Sequence, residues 1–284
     1  MPILALKVDI NTYSGIKSGL PKILDTLSRK NLPASFYISF GPDRTGLTLL
    51  QMLRPRLFAR MIRSYSVGRH DLKAAIYGLL KKPPMVGMAF PEILRLIKDI
   101  GHDVACHAWD NRIWQDWLPL MSRQYIKSWL TKMTTGYMET FGTMPEAFGA
   151  PGWRMDKRSL DIVGSFSFSH LSCTRAQEPF IFEENGLLEI PSNLPCIKET
   201  GVEGVADALK TRVNTYIPQV LPVHAETEGL TYLSQLESIL DLARSLGYIF
   251  ARVSDIAQAL YREDLCVRGL AMARIPGRVS KCAV

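Results

Sequence analysis

The sequence predicts an α/β fold in which helices cover a mostly parallel sheet. About seven short apolar segments alternate with amphipathic segments along the chain, which is the pattern of a parallel sheet, either open or closed into a barrel. No linker rich in Gly, Ser or Pro interrupts this alternation. We therefore expect residues 1–284 to form one domain.

The elements of the first half follow from apolar runs and helix signals. The predicted strands are, in order, ILALKVDI, ASFYISF, HDVACHAW (which runs into a loop) and EAFGAP. The predicted helices are residues 19–30, a helix that opens at Pro91 and closes near Gly101, and residues 122–141.

The second half continues the same alternation up to a basic tail. Asp156 has the character of a helix N-cap. The predicted strands are FSHLSC, GLLEIP, YIPQVLPVH and YIFARV. The predicted helices are residues 202–214, 232–246 and 254–261. The tail from Arg262 gives no clear pattern.

A basic stretch between Gln51 and Pro84 carries much of the net charge of +7. Its basic residues stand against the single acid Asp71, and they are Arg54, Arg56, Arg60, Arg63, Arg69, Lys73, Lys81 and Lys82. Interleaved apolar residues at helical spacing predict an inserted amphipathic helical segment at about residues 48–90. This helix would lie on an anionic bilayer surface or pack on the core with a solvated basic face. Nucleic acid is a less favoured partner, because no base-stacking or groove-reading motif accompanies the stretch.

Cysteine usage and the amino terminus bear on the compartment. Five cysteines without a C-x-x-C pair fit a reducing environment better than a disulfide framework. The start MPILALKVDI is too short for a signal sequence, and no run of about 18 apolar residues exists. We therefore expect a cytoplasmic protein without a membrane-spanning segment.

Polar residues follow several of the predicted strands. Asp9 and Asn11 end the first strand, and His107 follows the third. The segment Pro151–Arg154 follows the fourth, and His224 and Glu226 follow a late strand. In a barrel of parallel strands, loops converge at the carboxyl ends and form the site of chemistry. Their shared position at the carboxyl ends of strands is stronger evidence for a functional site than any one of these residues alone.

These segments resemble the polysaccharide deacetylase superfamily, which is carbohydrate esterase family 4 with the NodB-homology fold. The resemblance covers most of the chain and rests on KVDINTYSG, GLPKILDTLSRKNLPASFYISFGPD, HDVACHAWDNRIWQ, GAPGWRMD, EIPSNLP and VHAETEG. It is stronger toward the branch that deformylates 4-deoxy-4-formamido-arabinose on undecaprenyl phosphate, and toward sister deacetylases of lipid-linked amino sugars. It implies a distorted (β/α) barrel of about seven parallel strands.

The resemblance also implies roles for individual residues. The family's two first-strand aspartates, a base and a metal ligand, match Asp9 and Asn11. Its H-x-x-x-H ligand pair matches His107 and Asn111, and its late histidine, taken as general acid, matches His224. Two of three metal positions are therefore asparagine in this chain.

The loop Pro151, Gly152, Trp153 and Arg154 matches the family's arginine-containing loop. We expect Arg154 to hold Asp9 ionised through a charge-assisted hydrogen-bonded fork. We expect Pro151, Gly152, Trp153 and Glu226 to contact the substrate. Aromatic faces such as that of Trp153 stack on sugar rings, although Trp is also a common core residue.

The asparagines weaken the implied metal site. Zn²⁺ and similar ions prefer imidazole, thiolate or carboxylate ligands, so the set His107, Asn11 and Asn111 should bind a Zn, Mn or Co type ion far more weakly. Three outcomes stay open: an N-deacylase with a weakened metal site, catalysis without metal by Asp9, His224 and Arg154, and a catalytically impaired relative that binds a lipid-linked sugar or a protein partner. The presence of all three catalytic residues favours the first two outcomes.

Each of these residues also has a purely structural interpretation. His107 alone is typical of a satisfied core or loop histidine, Asp9 of a capping carboxylate, and His224 of an ion-paired histidine beside Glu226 and Glu228. Only their place in the family segments reverses the balance.

The resemblance further implies a substrate and a location. The substrate would be an N-acyl amino sugar on undecaprenyl phosphate, in lipid A or surface polysaccharide modification, at the cytoplasmic face of an inner membrane. The basic stretch agrees independently, because the carrier is anionic and lies in the bilayer. The sequence does not distinguish a formyl from an acetyl leaving group.

Overall fold

The computed structural model describes residues 1–47, 82–278 and 280–284. Within them lies one sheet with the strand order β10-β6-β7-β5-β4-β3-β2-β1-β8, in which β9 also pairs with β1. The strands of this sheet are β1 (Ile3–Ile10), β2 (Ser35–Ile38), β3 (Asp103–Cys106), β4 (Ala147–Phe148), β5 (His170–Leu171), β6 (Phe180–Phe182), β7 (Leu188–Glu189), β8 (Gln219–His224), β9 (Ile249–Ala251) and β10 (Val267–Arg268). A small antiparallel pair follows, β11 (Met272–Ala273) with β12 (Cys282–Ala283).

Helices alternate with most of the strands, whereas β5, β6 and β7 follow one another directly. The helices are α1 (Leu20–Lys30), α2 (Pro91–Asp99), α3 (Asn111–Trp117), α4 (Arg123–Phe141), α5 (Lys157–Gly164), α6 (Ile197–Arg212), α7 (Leu233–Ser245) and α8 (Val253–Ala259). Their ends have local causes. The Asp156 side chain caps α5 by accepting from Ser159 N, and Gly142, at φ 72°, ends α4.

The seven neighbouring strands from β7 to β8 run parallel, and within the described strands of this large sheet only the pairing of β6 with β7 is antiparallel. This confirms the predicted α/β fold with its mostly parallel sheet. The helix predicted at 202–214 begins earlier, at Ile197, and has a kink at Gly201. The strand β6 and the helix α3 were not among the predicted elements.

Two further predictions concern the basic insertion and the tail. The basic amphipathic insertion at about 48–90 lies, from residue 48 to 81, outside the described residues. The tail beyond Arg262 folds back on the body through the pairing of β10 with β6, whereas β11 and β12 pair with each other. All five cysteines are free, as expected. No helix of the described residues is long and apolar enough to cross a bilayer.

The two faces of β1 divide the interior. Leu4, Leu6, Val8 and Ile10 pack into the main core with residues of the helices. Ala5, on the opposite face, belongs to a second cluster that α8 closes with Val253 and Ile256. Because side chains alternate along a strand, Lys7 and Asp9 share the face of Ala5 and lie nearer the carboxyl end. The strand therefore delivers its polar residues to one rim.

Candidate active site

Asp9 and His224 lie side by side at this rim. They are register partners on the neighbouring parallel strands β1 and β8, and Ala225 N donates to Asp9 O at 3.0 Å. Side chains of register partners project to the same face of a sheet. Both residues are almost buried, with 3% and 9% of their surface exposed. The structure thus brings together the sequence-predicted base and acid.

Lys7 is the cation that contacts Asp9. Its Nζ lies 2.5 Å from Asp9 Oδ1, and its side chain has no exposed surface. The ammonium also lies 4.5 Å from the ring centre of Tyr37, within the range of a cation–π contact. A buried carboxylate needs such a partner to stay charged. Lys7 therefore supplies the charge that the sequence analysis expected from Arg154.

Arg154 points elsewhere. Its Nη1 donates to the carbonyl oxygen of Lys281 in the tail at 2.9 Å, while its own carbonyl accepts from Trp114 Nε1 at 2.8 Å. The expected fork from Arg154 to Asp9 is therefore wrong for this structure. The physical reason is that Lys7, two residues before Asp9 on the same strand face, already occupies that side of the carboxylate.

His107 completes the buried group. Its Nε2 lies 3.9 Å from Asp9 Oδ2. Burial lowers the pKa of His107 to about 4, against the opposing effect of the Asp9 charge, so the imidazole is neutral at pH 7. The next residue, Ala108, adopts φ 105°, which is a strained conformation for a residue with a side chain. This turn carries the chain from β3 toward α3.

The segment after His107 is a helix start. Asp110 caps α3 by accepting from Ile113 N at 3.0 Å, and it pairs with Arg44 Nε at 3.2 Å. The Asp110 carboxyl therefore serves as the N-cap of α3 and as the partner of Arg44. Asn111 is the first residue of α3, and Gln115 lies four residues later on the same helix face.

Three side-chain amides and one carboxyl form a hydrogen-bonded chain that links this helix to the end of β1, and we call it the amide relay: Gln115, Asn111, Asn11 and Glu226. Gln115 Nε2 donates to Asn111 Oδ1 at 2.7 Å, and Asn111 Nδ2 donates to Asn11 Oδ1. Asn11 Nδ2 in turn donates to Glu226 Oε1 at 3.0 Å. The relay crosses the rim beside Asp9.

The relay decides whether the residues fit the divalent metal that the family resemblance implies. The amide oxygens of Asn11 and Asn111, the atoms that would ligate, both accept hydrogen bonds within the relay. His107 is then the one strong ligand left of the three predicted. In the described part of the chain, no cluster of three His, Cys, Asp or Glu residues is arranged to hold a metal ion. These residues do not fit the metal.

Two glutamates form the wall beside His224. Glu228 Oε2 accepts from His224 N at 2.7 Å, and burial raises the pKa of Glu228 to about 7. Burial also raises the pKa of Glu226. The pKa of His224 is well below its usual value, because of burial first and then the nearby charges of Lys198, Arg278 and Lys7. The imidazole of His224 is therefore neutral at pH 7.

The Pro151–Trp153 turn contacts both the relay and His224. Gly152, at φ 59°, approaches Gln115 so closely that a Cβ on it would lie 2.8 Å from Gln115 Oε1. The ring of Trp153 meets the ring of His224 edge to face, with centres 6.5 Å apart. Gly152 thus lies against Gln115 and Trp153 lies against His224, with Trp153 buried; their contact with the substrate stays a prediction.

Two arginines that the sequence analysis missed flank Trp153. The guanidinium carbons of Arg175 and Arg278 lie 4.6 Å and 4.1 Å from its ring centre. Both pair with Glu199, Arg175 Nη1 at 3.1 Å from Oε2 and Arg278 Nε at 2.6 Å from Oε1. The sequence evidence for these two arginines was weak, because Arg278 lies in a tail without a recognisable helix or strand pattern. Lys7 was easier to find, since it is a lysine inside an apolar strand.

Comparison with known proteins gives the family. The polysaccharide deacetylase family model matches residues 2–171. A "probable 4-deoxy-4-formamido-L-arabinose-phosphoundecaprenol deformylase" of Shewanella sediminis is 30% identical over 92% of this chain and 87% of its own length. A protein of the same name from Wigglesworthia glossinidia brevipalpis is 27% identical over 93% of this chain and 96% of its own.

A solved structure supports the same fold. A polysaccharide deacetylase-type protein of Mycobacterium smegmatis superposes with a TM-score of 0.65 over 96% of each chain, at 16% identity. The family match and the 30% identical relative together carry the assignment. The chain belongs to the polysaccharide deacetylase family and is, with that family, an amide hydrolase.

Proposed function

We propose that this chain hydrolyses the N-acyl group of an amino sugar carried on undecaprenyl phosphate, with 4-deoxy-4-formamido-L-arabinose as the first substrate to test. The names of its two relatives support this substrate class. They give no support to the alternative of an impaired relative that only binds. The observation that carries the proposal is the pairing of Asp9 with His224 across β1 and β8, with Lys7 against the carboxylate.

The reaction needs a base, a proton path and a means of holding negative charge. In our proposal Asp9 accepts one proton from water as the water oxygen attacks the acyl carbon. The departing nitrogen takes that proton when the C–N bond breaks, so no external proton is consumed. His224, neutral at rest and adjacent to Asp9, is suited to relay this proton. Formate or acetate and a free amine are the products.

The test is an assay with undecaprenyl-phosphate-linked 4-deoxy-4-formamido-L-arabinose. We expect the purified chain to release formate and the amino sugar lipid. Asp9→Asn should reduce the rate by at least about 100-fold, because general-base catalysis contributes on that order. Formate release and mass spectrometry of the lipid measure the two products.

Controls separate chemistry from folding and define the acyl group. Because Asp9→Asn leaves the buried Lys7 ammonium without its partner, the double variant K7M/D9N is assayed beside it, and far-ultraviolet circular dichroism verifies that both variants are folded under the assay conditions. An N-acetyl analogue, assayed in parallel, tells whether the site accepts acetyl. The absence of any hydrolysis of either substrate would reject the proposal.

We also propose that the chain acts at the cytoplasmic face of an inner membrane, held there by the basic stretch between Gln51 and Pro84. The support is the sequence alone, since the carrier lipid lies in the bilayer and Arg56, Arg60 and Arg63 stand among apolar residues. The triple change of these arginines to Gln should reduce binding to phosphatidylglycerol vesicles in sedimentation. Neutral phosphatidylcholine vesicles are the control, and unchanged binding would reject the membrane role of this stretch.

A further inference from the structure

We propose that the side-chain amides of Asn11 and Asn111 bind the acyl oxygen of the substrate and form an oxyanion hole that works without a metal ion. The inference rests on the proposed function, because it requires an acyl group beside Asp9. It assigns a catalytic role to the two residues that replace the implied metal ligands. Asparagine amides are known components of oxyanion holes in acyl-transfer enzymes.

The relay sets the orientation of both amides. Glu226 Oε1 accepts from Asn11 Nδ2, so Asn11 Oδ1 faces Asn111. Asn111 must then present Nδ2 to Asn11 and its own oxygen to Gln115 Nε2. An amide oxygen is an acceptor and an amide nitrogen a donor. One acceptor at the Glu226 end therefore fixes the direction of the whole relay.

Each amide nitrogen keeps a second hydrogen. An Asn Nδ2 carries two N–H groups, and among the described residues each of these nitrogens has one side-chain acceptor. Both residues are half-buried, whereas Asp9 and His107 are almost fully covered. The second N–H of Asn11 and of Asn111 therefore has no side-chain acceptor among the described residues, and in our proposal it donates to the acyl oxygen.

Packing around Gln115 holds the end of the amide relay that is opposite Glu226. Gln115 is one helical turn from Asn111, and Gly152 lies so close to Gln115 that a larger residue would displace it. One of the two lone pairs of each amide oxygen is already used by its donor, Asn111 Nδ2 for Asn11 and Gln115 Nε2 for Asn111. Neutral amide oxygens are also weak ligands for Zn²⁺ or Mn²⁺. The geometry therefore favours Asn11 and Asn111 as hydrogen-bond donors to the substrate over Asn11 and Asn111 as metal ligands.

The chemical step balances with these groups alone. The water oxygen forms a bond to the acyl carbon and gives its proton to Asp9, while the C=O electron pair moves onto the oxygen. The two amide N–H groups hold that negative charge. The pair returns to form C=O when the C–N bond breaks and the nitrogen takes the proton from Asp9.

The first experiment measures metal binding. Wild-type protein and the double variant N11D/N111H, which restores a carboxylate and an imidazole, are titrated with Zn²⁺, Mn²⁺ and Co²⁺ by calorimetry. We expect 1:1 binding in the double variant and an affinity at least about 100-fold weaker in the wild type. Tight 1:1 binding by the wild type would overturn the inference.

The second experiment measures hydrolysis of the formamido sugar lipid. Wild-type activity should survive EDTA, and Asn11→Ala and Asn111→Ala should each reduce kcat by about 100- to 1,000-fold with little change in KM. Gln115→Ala removes the hydrogen-bond donor to Asn111 but leaves both asparagine amides in place. It should therefore reduce kcat less than either asparagine variant does. Thermal unfolding verifies that each variant folds.

The outcomes distinguish the two proposals. An active wild type that loses activity in EDTA and regains it with metal would overturn the inference alone. Full kcat in both alanine variants would do the same. A wild type without hydrolysis under any condition would overturn the proposed function and this inference with it.

Discussion

Lys7 is the residue on which the charge of the site depends. Its ammonium and the carboxylate of Asp9 are both buried, and each offsets part of the cost of burying the other. Removing one partner of such a pair leaves an uncompensated charge in the interior. The stability of the chain and the ionisation of its proposed base are therefore tied to one contact.

We predict that Lys7→Met lowers the free energy of unfolding by about 3–5 kcal/mol at pH 7. The double variant K7M/D9N should recover most of this loss, because neither buried charge remains. Lys210→Met, which breaks an exposed pair with Asp207, should cost within about 1 kcal/mol. Urea unfolding measures all three. A Lys7→Met loss no larger than that of Lys210→Met would contradict the account.

For single residues, the sequence predicted the place in the fold better than it predicted the side-chain contacts. Asp9, His107 and His224 could be placed at one rim because each follows a strand of a parallel sheet. The cation on Asp9 could not be assigned, since a side-chain contact depends on which arginine or lysine the folded rim has room for. The resemblance pointed to Arg154, and the strand geometry selects Lys7.

At the scale of elements, the tail closes one side of the site. Arg278 reaches Glu199 and Trp153, and Arg175 N donates to Ala283 O at 2.8 Å. The loop that carries Arg278 can pack only because Gly277 adopts φ 78° against the backbone of α6. A Cβ at this position would lie 2.5 Å from Glu199 O. No residue larger than glycine can therefore approach the α6 backbone this closely at position 277.

We predict that Gly277→Ala releases the tail from α6. Hydrogen exchange of residues 269–284 should become at least about 10-fold faster, because the change adds a backbone clash to the roughly 1–2 kcal/mol cost of a left-handed alanine. Gly247→Ala is the matched control, since Gly247 has φ 83° and open space around it. Similar exchange in the tails of both variants would refute a packing role for Gly277.

Elements with strong patterns were predicted and those set by tertiary contacts were not. Continuous apolar runs gave β1, β2 and β8, and the Asp156 cap gave the start of α5. The strand β6 and the pairing of the tail are short, and only their partners stabilise them. The helix α3 escaped prediction because its first residue was interpreted as a metal-ligand position, while Asp110 before it is an N-cap.

At the scale of the whole molecule, buried titratable groups make the stability depend on pH in two directions. Burial raises the pKa of Glu189 and of Glu228 to about 7. The native state therefore binds more protons than the unfolded chain from about pH 4.5 to 7, and these groups lose their stabilising effect as pH rises. Burial lowers the pKa of His107 and of His170 to about 4. Their contribution is complete above about pH 6.5 and is lost as pH falls toward 4.

Glu189 allows this account to be tested away from the catalytic rim. Its Oε1 accepts from the N–H groups of Cys173 and Thr174 at 2.8 and 2.7 Å, and a glutamine keeps that acceptor. Relative to wild type, Glu189→Gln should gain on the order of 1–3 kcal/mol in free energy of unfolding between pH 5 and pH 8, because the wild-type chain must bury a charge at the higher pH. Urea unfolding at both pH values measures this difference. A stability difference between the two proteins that stays the same at pH 5 and pH 8 would mean that Glu189 does not titrate in this range, and the interior would then tolerate its charge.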